Sequence, residues 1–244
     1  MEYRQLGRAG VRVSVIGLGT NRFGTDTLPQ AEVNKVIDAA LELGINFIDS
    51  ANTYVHGRSE ETLGQALKGR RDRFVVATKG VLPIGAGAND RGASRYHIFQ
   101  ALESSLRRLQ SDHIDVYYMH RWDPQTPLEE TLRALDDLVR QGKIAYVGAS
   151  EYAAWQLAQA NILADVRGWT PFVTLQSEYH MYKRAVEGEI LAYCQAYNIG
   201  FVPCYPLAGG FLTGKYQRGA PAPPGSRGET APSVQQYMTP AAYD

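Results

Sequence analysis

Apolar and polar residues follow one recurring pattern along the first two hundred residues. A short run rich in Val, Ile, Phe and Tyr is followed by a loop and then by a stretch with apolar residues every three or four positions. The first kind of run predicts a buried β-strand, and the second predicts an amphipathic helix. The predicted strands are residues 15–18, 46–50, 74–78, 114–119, 144–148, 172–176 and 200–203, and the predicted helices are residues 29–43, 59–67, 96–109, 128–140, 153–166 and 186–197.

The first 15 residues follow a different pattern. Residues 3–6 and 11–15 flank the segment Gly7-Arg8-Ala9-Gly10. Glycine allows the positive φ angles that tight turns between antiparallel strands require. Residues 1–15 are therefore predicted to form a β-hairpin ahead of the repeating units.

Seven strand–helix units require a parallel sheet covered by helices, either an open doubly wound sheet or a closed (β/α)₈ barrel. A barrel carries its chemistry at the carboxyl ends of its strands, and polar residues follow five of the predicted strands: Asp49, Lys79, His120, Ser150 and Gln176. The barrel therefore fits better. We expect an α/β fold, a single (β/α)₈ TIM-barrel domain over residues 1–244.

The end of the chain departs from this pattern. Residues 214–244 are rich in Gly, Pro, Ser and Ala and show no periodicity, so they are predicted to be a flexible loop region. The last βα unit is then missing from this chain, which is either truncated or an open barrel. Two unpaired strand edges would follow, and a second copy of the chain could cover them in a homo-oligomer.

Charge balance, the absence of long apolar runs and the placement of the cysteines argue against several classes of function. The 25 basic and 25 acidic residues cancel, which argues against nucleic acid or an anionic membrane as a partner. The start lacks a secretory signal and no apolar run is long enough to span a bilayer, so a cytoplasmic protein is expected. Cys194 and Cys204 have no Cys or His beside them at metal-ligand spacing, and no metal site is predicted.

Four residues at or just after neighbouring strand ends can act on a carbonyl group. They are Asp49, Tyr54, Lys79 and His120. A Lys79 ammonium would stabilise the phenolate of Tyr54, and Asp49 would hold Lys79 charged. His120 could hydrogen-bond a substrate oxygen or pass a proton to Tyr54. Each residue alone could be structural, but the group of four indicates an acid site.

Two glycine-rich segments are candidates for cofactor contacts. Gly17-Leu18-Gly19-Thr20 follows the first strand of the sheet but lacks the dinucleotide fingerprint, so a structural role is equally open. Residues 206–216 combine glycines with Lys215 after the seventh strand, where barrels often bind phosphate. Arg227 could add a second cation, or it could be a solvated loop residue.

The sequence resembles the aldo-keto reductase family, in the bacterial and potassium-channel β-subunit branches. The resemblance rests on several segments: residues 17–20, Gly44 to Ala51 with Tyr54 and Gly57, Ser59-Glu60-Glu61, Ala77-Thr78-Lys79, residues 105–109, residues 114–116 ahead of His120, residues 142–144 and residues 206–216. It implies a (β/α)₈ barrel that reduces aldehydes or ketones with NADPH (NADP⁺). Relative to the family, the chain is expected to be truncated at its C-terminus.

The resemblance also implies site residues. The family's four catalytic residues match Asp49, Tyr54, Lys79 and His120, with Tyr54 as the proton donor. Further positions match the family's cofactor contacts, and the expected cofactor-binding set is Gly19, Thr20, Asn21, Asp49, Ser150, Glu151, Gln176, Cys204, Tyr205, Pro206, Leu207, Gly209, Lys215 and Arg227. Two of these depart from the family: Glu151 stands where Asn is usual, and Cys204 stands where an aromatic residue usually stacks on nicotinamide.

Two other functions stay open at this point. The chain could be a non-catalytic cofactor-sensing or regulatory subunit on the same barrel. Lys79 could instead be a Schiff-base nucleophile, as in aldolase-like barrels, although a nucleophilic lysine must be neutral and Asp49 would keep it protonated. The small-molecule carbonyl substrate itself is not identified by any residue.

Overall fold

The computed structural model describes residues 1–243, and its centre is a curled sheet of seven parallel strands in chain order. The seven predicted sheet strands are all present, with ends that differ by a few residues. They are β3 (Gly17–Gly19), β4 (Phe47–Asp49), β5 (Val75–Gly80), β6 (Ile114–Met119), β7 (Ile144–Ser150), β8 (Phe172–Glu178) and β9 (Gly200–Cys204). A smaller sheet pairs β1 (Tyr3–Gln5) with β2 (Arg12–Ser14), so the N-terminal hairpin is also confirmed.

Six helices cover the outside of the sheet, one after each of β3 to β8. They are α1 (Gln30–Glu42), α2 (Arg58–Ala66), α3 (Arg95–Leu109), α4 (Leu128–Arg140), α5 (Ala154–Arg167) and α6 (Glu189–Ala196). In α4, Leu132, Leu135 and Leu138 recur at helical spacing and are fully buried. Burial of this stripe orients the helix against the sheet.

The hairpin lies against the inner side of the curled sheet. Leu6, Ala9 and Val13 of the hairpin are buried against inward-facing side chains of the strands, which are Phe47, Ala77, Val116, Tyr118 and Val173. The carboxyl ends of the strands carry the polar residues. We call the end of the sheet at which these carboxyl ends lie the rim.

The sheet is open between its first and last strands. β3 pairs only with β4 and β9 pairs only with β8, so within residues 1–243 these two strands are the edges of the seven-stranded sheet. Seven strands and six covering helices of the expected barrel are therefore present. The missing eighth unit stays a prediction from the sequence.

Residues 214–244, which are predicted to be a flexible loop region, contain short helices that the sequence analysis did not predict. Residues 1–243 include α7 (Arg227–Thr230), α8 (Pro232–Gln235) and a 3₁₀ helix at Pro240–Tyr243 there. Apolar side chains hold the segment together: Ala208, Phe211, Tyr216 and Val234 are buried against one another. The short helices lack a sequence signal because four residues, about one turn, are too few to show a period. Asp244 lies outside the described residues.

Within residues 1–243, no helix is both long enough and apolar enough to cross a membrane.

Candidate active site

Lys79 is the centre of the polar cluster at the rim. It lies on β5, its side chain is fully buried, and its Nζ donates hydrogen bonds to three oxygens. These are Asp49 Oδ2 at 2.5 Å, the Ser50 backbone oxygen at 2.8 Å and the Tyr54 hydroxyl at 3.3 Å. The pairing of β4 with β5 sets this geometry. Asp49 lies opposite Ala77, and Lys79, two residues after Ala77, points to the same face of the sheet.

Tyr54 reaches Lys79 from a strained turn. It begins a 3₁₀ helix at Tyr54–Gly57, in which Val55 and His56 both have positive φ angles. A β-branched residue such as valine seldom adopts that conformation. Such strain persists only where the surroundings hold it, and it is common at functional sites.

The protein raises the pKa of Tyr54 well above its ordinary value. Burial is the main cause, followed by the negative charge of Asp49 and by Tyr205 and Cys204. Lys79, which is predicted to stabilise the phenolate, does not lower the pKa of Tyr54 below its ordinary value here. Asp49 lies closer to Lys79 than Tyr54 does and cancels its charge, so burial decides and the proton stays on Tyr54.

His120 directly follows β6 and lies beside Tyr54. The two rings meet edge to face with centroids 6.0 Å apart, and His120 Nδ1 is buried without a hydrogen-bond partner. Burial, with the nearby charges of Lys79 and Arg121, lowers the pKa of His120 to about 3. The imidazole is neutral near pH 7, so of the two predicted roles the structure favours hydrogen bonding over supplying a proton.

A large cleft opens beside this cluster, on the open side of the sheet. Its volume is about 810 Å³, and both edge strands line it. Ten of the predicted site residues line the cleft: Gly19, Thr20, Asn21, Asp49, Tyr54, Gln176, Cys204, Tyr205, Pro206 and Arg227. Gln176 donates a hydrogen bond to Asp49 Oδ1 at 3.1 Å, which links the far side of the cleft to the cluster.

Five predicted cofactor residues do not line the cleft: Ser150, Glu151, Leu207, Gly209 and Lys215. Ser150 is buried opposite Gln176 in the sheet. Glu151 points toward a separate cavity, and its Oε1 accepts hydrogen bonds from the Glu178 N–H at 2.9 Å and the Cys204 thiol at 3.8 Å. A carboxylate can only accept hydrogen bonds, and both of these partners of Glu151 are donors.

The glycine turn after β9 places two cations together. Gly210 has a φ of +108°, and Lys215 Nζ and Arg227 Nη2 lie 3.6 Å and 3.8 Å from where its β-carbon would be. Within residues 1–243, neither cation lies within salt-bridge distance of a carboxylate. Positive φ at Ala208 and Gly209 makes the same turn a backbone concavity. Cations that have no carboxylate partner and lie beside a backbone concavity are suited to bind phosphate.

Cys204 and Tyr205 lie next to each other at the cleft. Burial and the carboxylate of Glu151 raise the pKa of the Cys204 thiol to about 12, so the thiol stays protonated. Tyr205 follows with positive φ and about half of its surface exposed. An exposed ring at the cleft is free to stack on a flat ligand, which Cys204 cannot do.

Sequence reasoning missed one wall of the cleft. Hairpin and strand residues also line it, including Arg4, Gln5, residues 13–16, Phe47 and residues 201–203. Their positions along the chain carry no chemical signal. They meet only because the sheet curls and the hairpin lies inside it.

A family model described as the aldo/keto reductase family matches residues 15–242. A probable voltage-gated potassium channel subunit beta of Oryza sativa is 40% identical over 223 residues, which is 90% of this chain and 68% of the relative. An uncharacterized oxidoreductase of Bacillus subtilis is 43% identical over 226 residues, covering 88% of this chain and 69% of the relative. An aldo-keto reductase of Fusarium vanettenii is 35% identical over 242 residues, covering 87% and 65%.

Proposed function

Because the chain belongs to the aldo/keto reductase family, we propose that it is an NADPH-dependent oxidoreductase that reduces aldehydes and ketones to alcohols. Oxidoreductase chemistry as such is supported by the family match and by relatives named as oxidoreductases. The choice of NADPH, the carbonyl substrate and the residue roles below belong to the proposal.

One observation carries the proposal. The Tyr54 hydroxyl lies 3.3 Å from a buried lysine ammonium and lines the 810 Å³ cleft, so a proton donor faces a space of cofactor size. Small-molecule sites are concave and hold a few convergent polar groups. Here Asp49, Tyr54 and Gln176 converge on the cleft.

The residues around the cleft fit a phosphorylated dinucleotide. Lys215, Arg227 and the glycine turn would hold its phosphates, because these cations have no carboxylate partner of their own in residues 1–243. Gln176 and Asp49 would contact the nicotinamide end, and the exposed Tyr205 ring would stack on it. When bound, NADPH supplies the hydride that adds to the carbonyl carbon.

Tyr54 then gives its proton to the carbonyl oxygen, which becomes the alcohol hydroxyl. The raised pKa of Tyr54 keeps this proton in place until the oxygen becomes basic. Lys79 stabilises the phenolate left behind, and Asp49 keeps Lys79 in position. Neutral His120 would donate a hydrogen bond to the substrate oxygen.

The proposal is tested by fluorescence titration of the chain with NADPH and with NADH, following the quenching of its three tryptophans. We expect saturable binding that favours NADPH, and consumption of bound NADPH on adding aldehydes. Absence of binding to both cofactors would contradict the proposal.

A second candidate is a cofactor-sensing regulatory subunit. It draws on the relative from Oryza sativa, which is named as a probable channel subunit. Saturable NADPH binding without turnover across a panel of aldehydes and ketones would favour this candidate over the reductase.

A further inference from the structure

A buried ion pair lies directly behind the Tyr54 turn, on the outer side of the sheet. The Glu60 side chain is completely buried at the start of α2, and Arg108 belongs to the last turn of α3. Arg108 Nε and Nη2 both lie 2.7 Å from Glu60 Oε2. Burying a carboxylate so completely is unfavourable without such a partner, and the proposed reaction does not use this pair.

The other oxygen of Glu60 is joined to the strand that carries Lys79. Thr78 Oγ1 donates a hydrogen bond of 2.5 Å to Glu60 Oε1. Successive side chains of a strand point to opposite faces, so Thr78 faces α2 while Lys79 faces the site. Glu60 therefore contacts the residue next to Lys79 from behind.

Arg108 supports the turn that carries Tyr54. Gly57 closes this turn with a φ of +90°, and a β-carbon there would lie 3.1 Å from Arg108 Cδ and 3.2 Å from its Nε. The guanidinium end of Arg108 thus packs against the Gly57 backbone, which immediately follows the strained Val55 and His56. A side chain at residue 57 would press against Arg108 and would also strain the backbone at this positive φ.

We propose that Glu60 and Arg108 are positioning residues that hold the Tyr54 turn at Lys79. The Glu60–Arg108 ion pair is connected to both residues of the 3.3 Å contact between Lys79 Nζ and the Tyr54 hydroxyl. Glu60 is joined through Thr78 to the strand that carries Lys79, and Arg108 packs against Gly57 in the turn that carries Tyr54. This inference rests on the proposed function for its kinetic consequences. Its structural consequences do not depend on that function.

The first test is amide hydrogen exchange, measured by mass spectrometry on peptides covering residues 52–60. Arg108→Met removes the cation, and Arg71→Met is the matched control. Arg71 forms a partly buried ion pair of 2.6 Å with Asp115, next to β5 at its opposite end. We expect faster exchange at residues 52–60 in Arg108→Met and wild-type exchange there in Arg71→Met. Equal exchange in the two variants at these residues would overturn the proposal.

The second test is kinetic. In Arg108→Met we expect kcat to fall on the order of 100-fold, as for small displacements of a reacting group, with KM for the carbonyl unchanged. Glu60→Gln should produce a similar loss, and the double variant should be no worse than either single one, since both act through one pair. Additive losses, or a raised KM at constant kcat, would contradict a positioning role.

Arg108→Lys covers the case in which Arg108→Met does not fold. It keeps a cation near Glu60 but loses the planar group behind Gly57. We expect an intermediate change in exchange and in kcat, and wild-type values in both would overturn the proposal. If the wild-type chain reduces no carbonyl, the proposed function fails, whereas the exchange measurement still tests the positioning role.

Discussion

Around β4 to β6, the groups available for chemistry are side chains held inside the protein, whereas around residues 205–216 they are backbone N–H groups and exposed cations. Lys79 is fully buried and bonded to three oxygens. Leu207, in the second region, is about half exposed, and three successive residues from Ala208 have positive φ. Burial raises the pKa of Tyr54 in the first region, whereas in the second region the backbone conformation underlies the proposed phosphate binding. Changes in the two regions should therefore have different effects.

The largest expected effect is loss of reduction in Tyr54→Phe. Phenylalanine keeps the ring beside His120 but removes the proton donor. A positioned general acid contributes about 10²–10⁴-fold, so we expect kcat to fall by about 10³-fold while cofactor affinity stays the same. Steady-state kinetics and tryptophan quenching measure the two quantities. Full activity in this variant would exclude Tyr54 as the donor.

Asp49→Asn should affect the same region through stability. The substitution leaves the Lys79 ammonium buried with no counter-charge at 2.5 Å. Removing one partner of a buried pair costs about 3–5 kcal/mol, which urea unfolding at pH 7 would measure. As a control, Glu32→Gln breaks the exposed pair with Lys35 and should leave the free energy of unfolding nearly unchanged. Equal losses in the two variants would mean that Asp49 does not compensate a buried charge.

His120 should make the protein less stable in acid. Its folded pKa is about 3, below the ordinary value of 6.5, so the unfolded chain binds the proton first as pH falls. Stability from this group is present above pH 6.5 and decreases toward pH 3. Between pH 7 and pH 5 the loss is about 2 kcal/mol, and His120→Gln should remove it. Urea unfolding at both pH values measures this loss, and an unchanged pH dependence would contradict the low pKa.

The smallest expected effect lies in the second region. Lys215→Ala and Arg227→Ala should each weaken NADPH binding about 10-fold, as expected for one charged hydrogen bond, without changing the pH dependence of kcat. Added salt should weaken wild-type binding more than binding by the double variant, because exposed charges are screened. Arg4→Ala, at the hairpin wall of the cleft, is a control for general loss of charge.

The pattern of the sequence predicted the regular parts of the fold closely. Residues 114–119 and 128–140 were predicted as a strand and a helix with the bounds that the structure has. Both segments have many apolar residues with a clear period, and burial of those residues decides the conformation. No helix was predicted after residue 214, because the four-residue helices there are too short to show a period and are packed together with Phe211 and Tyr216.

Prediction of the site had the same limit. Strand ends pointed to Asp49, Lys79 and His120 because parallel strands bring their carboxyl ends to one edge. The raised pKa of Tyr54 was not predicted, because it depends on whether burial outweighs the nearby Lys79 ammonium, which is paired with Asp49. Glu60 and Arg108 both stand in segments that carry the family resemblance, but nothing in the sequence pairs them, because the two residues are 48 positions apart.

The sequence by itself determined the alternation of strands and helices, the family and the identity of the polar residues at the strand ends. These features depend on local periodicity and on residue types, which can be read directly from the amino-acid sequence. The tertiary structure alone decided which groups are buried together, which charges are cancelled, and which wall of the cleft the hairpin supplies. Electrostatic energies depend on distances and solvent exposure in three dimensions, and neither exists until the sheet has curled and the helices have packed against it.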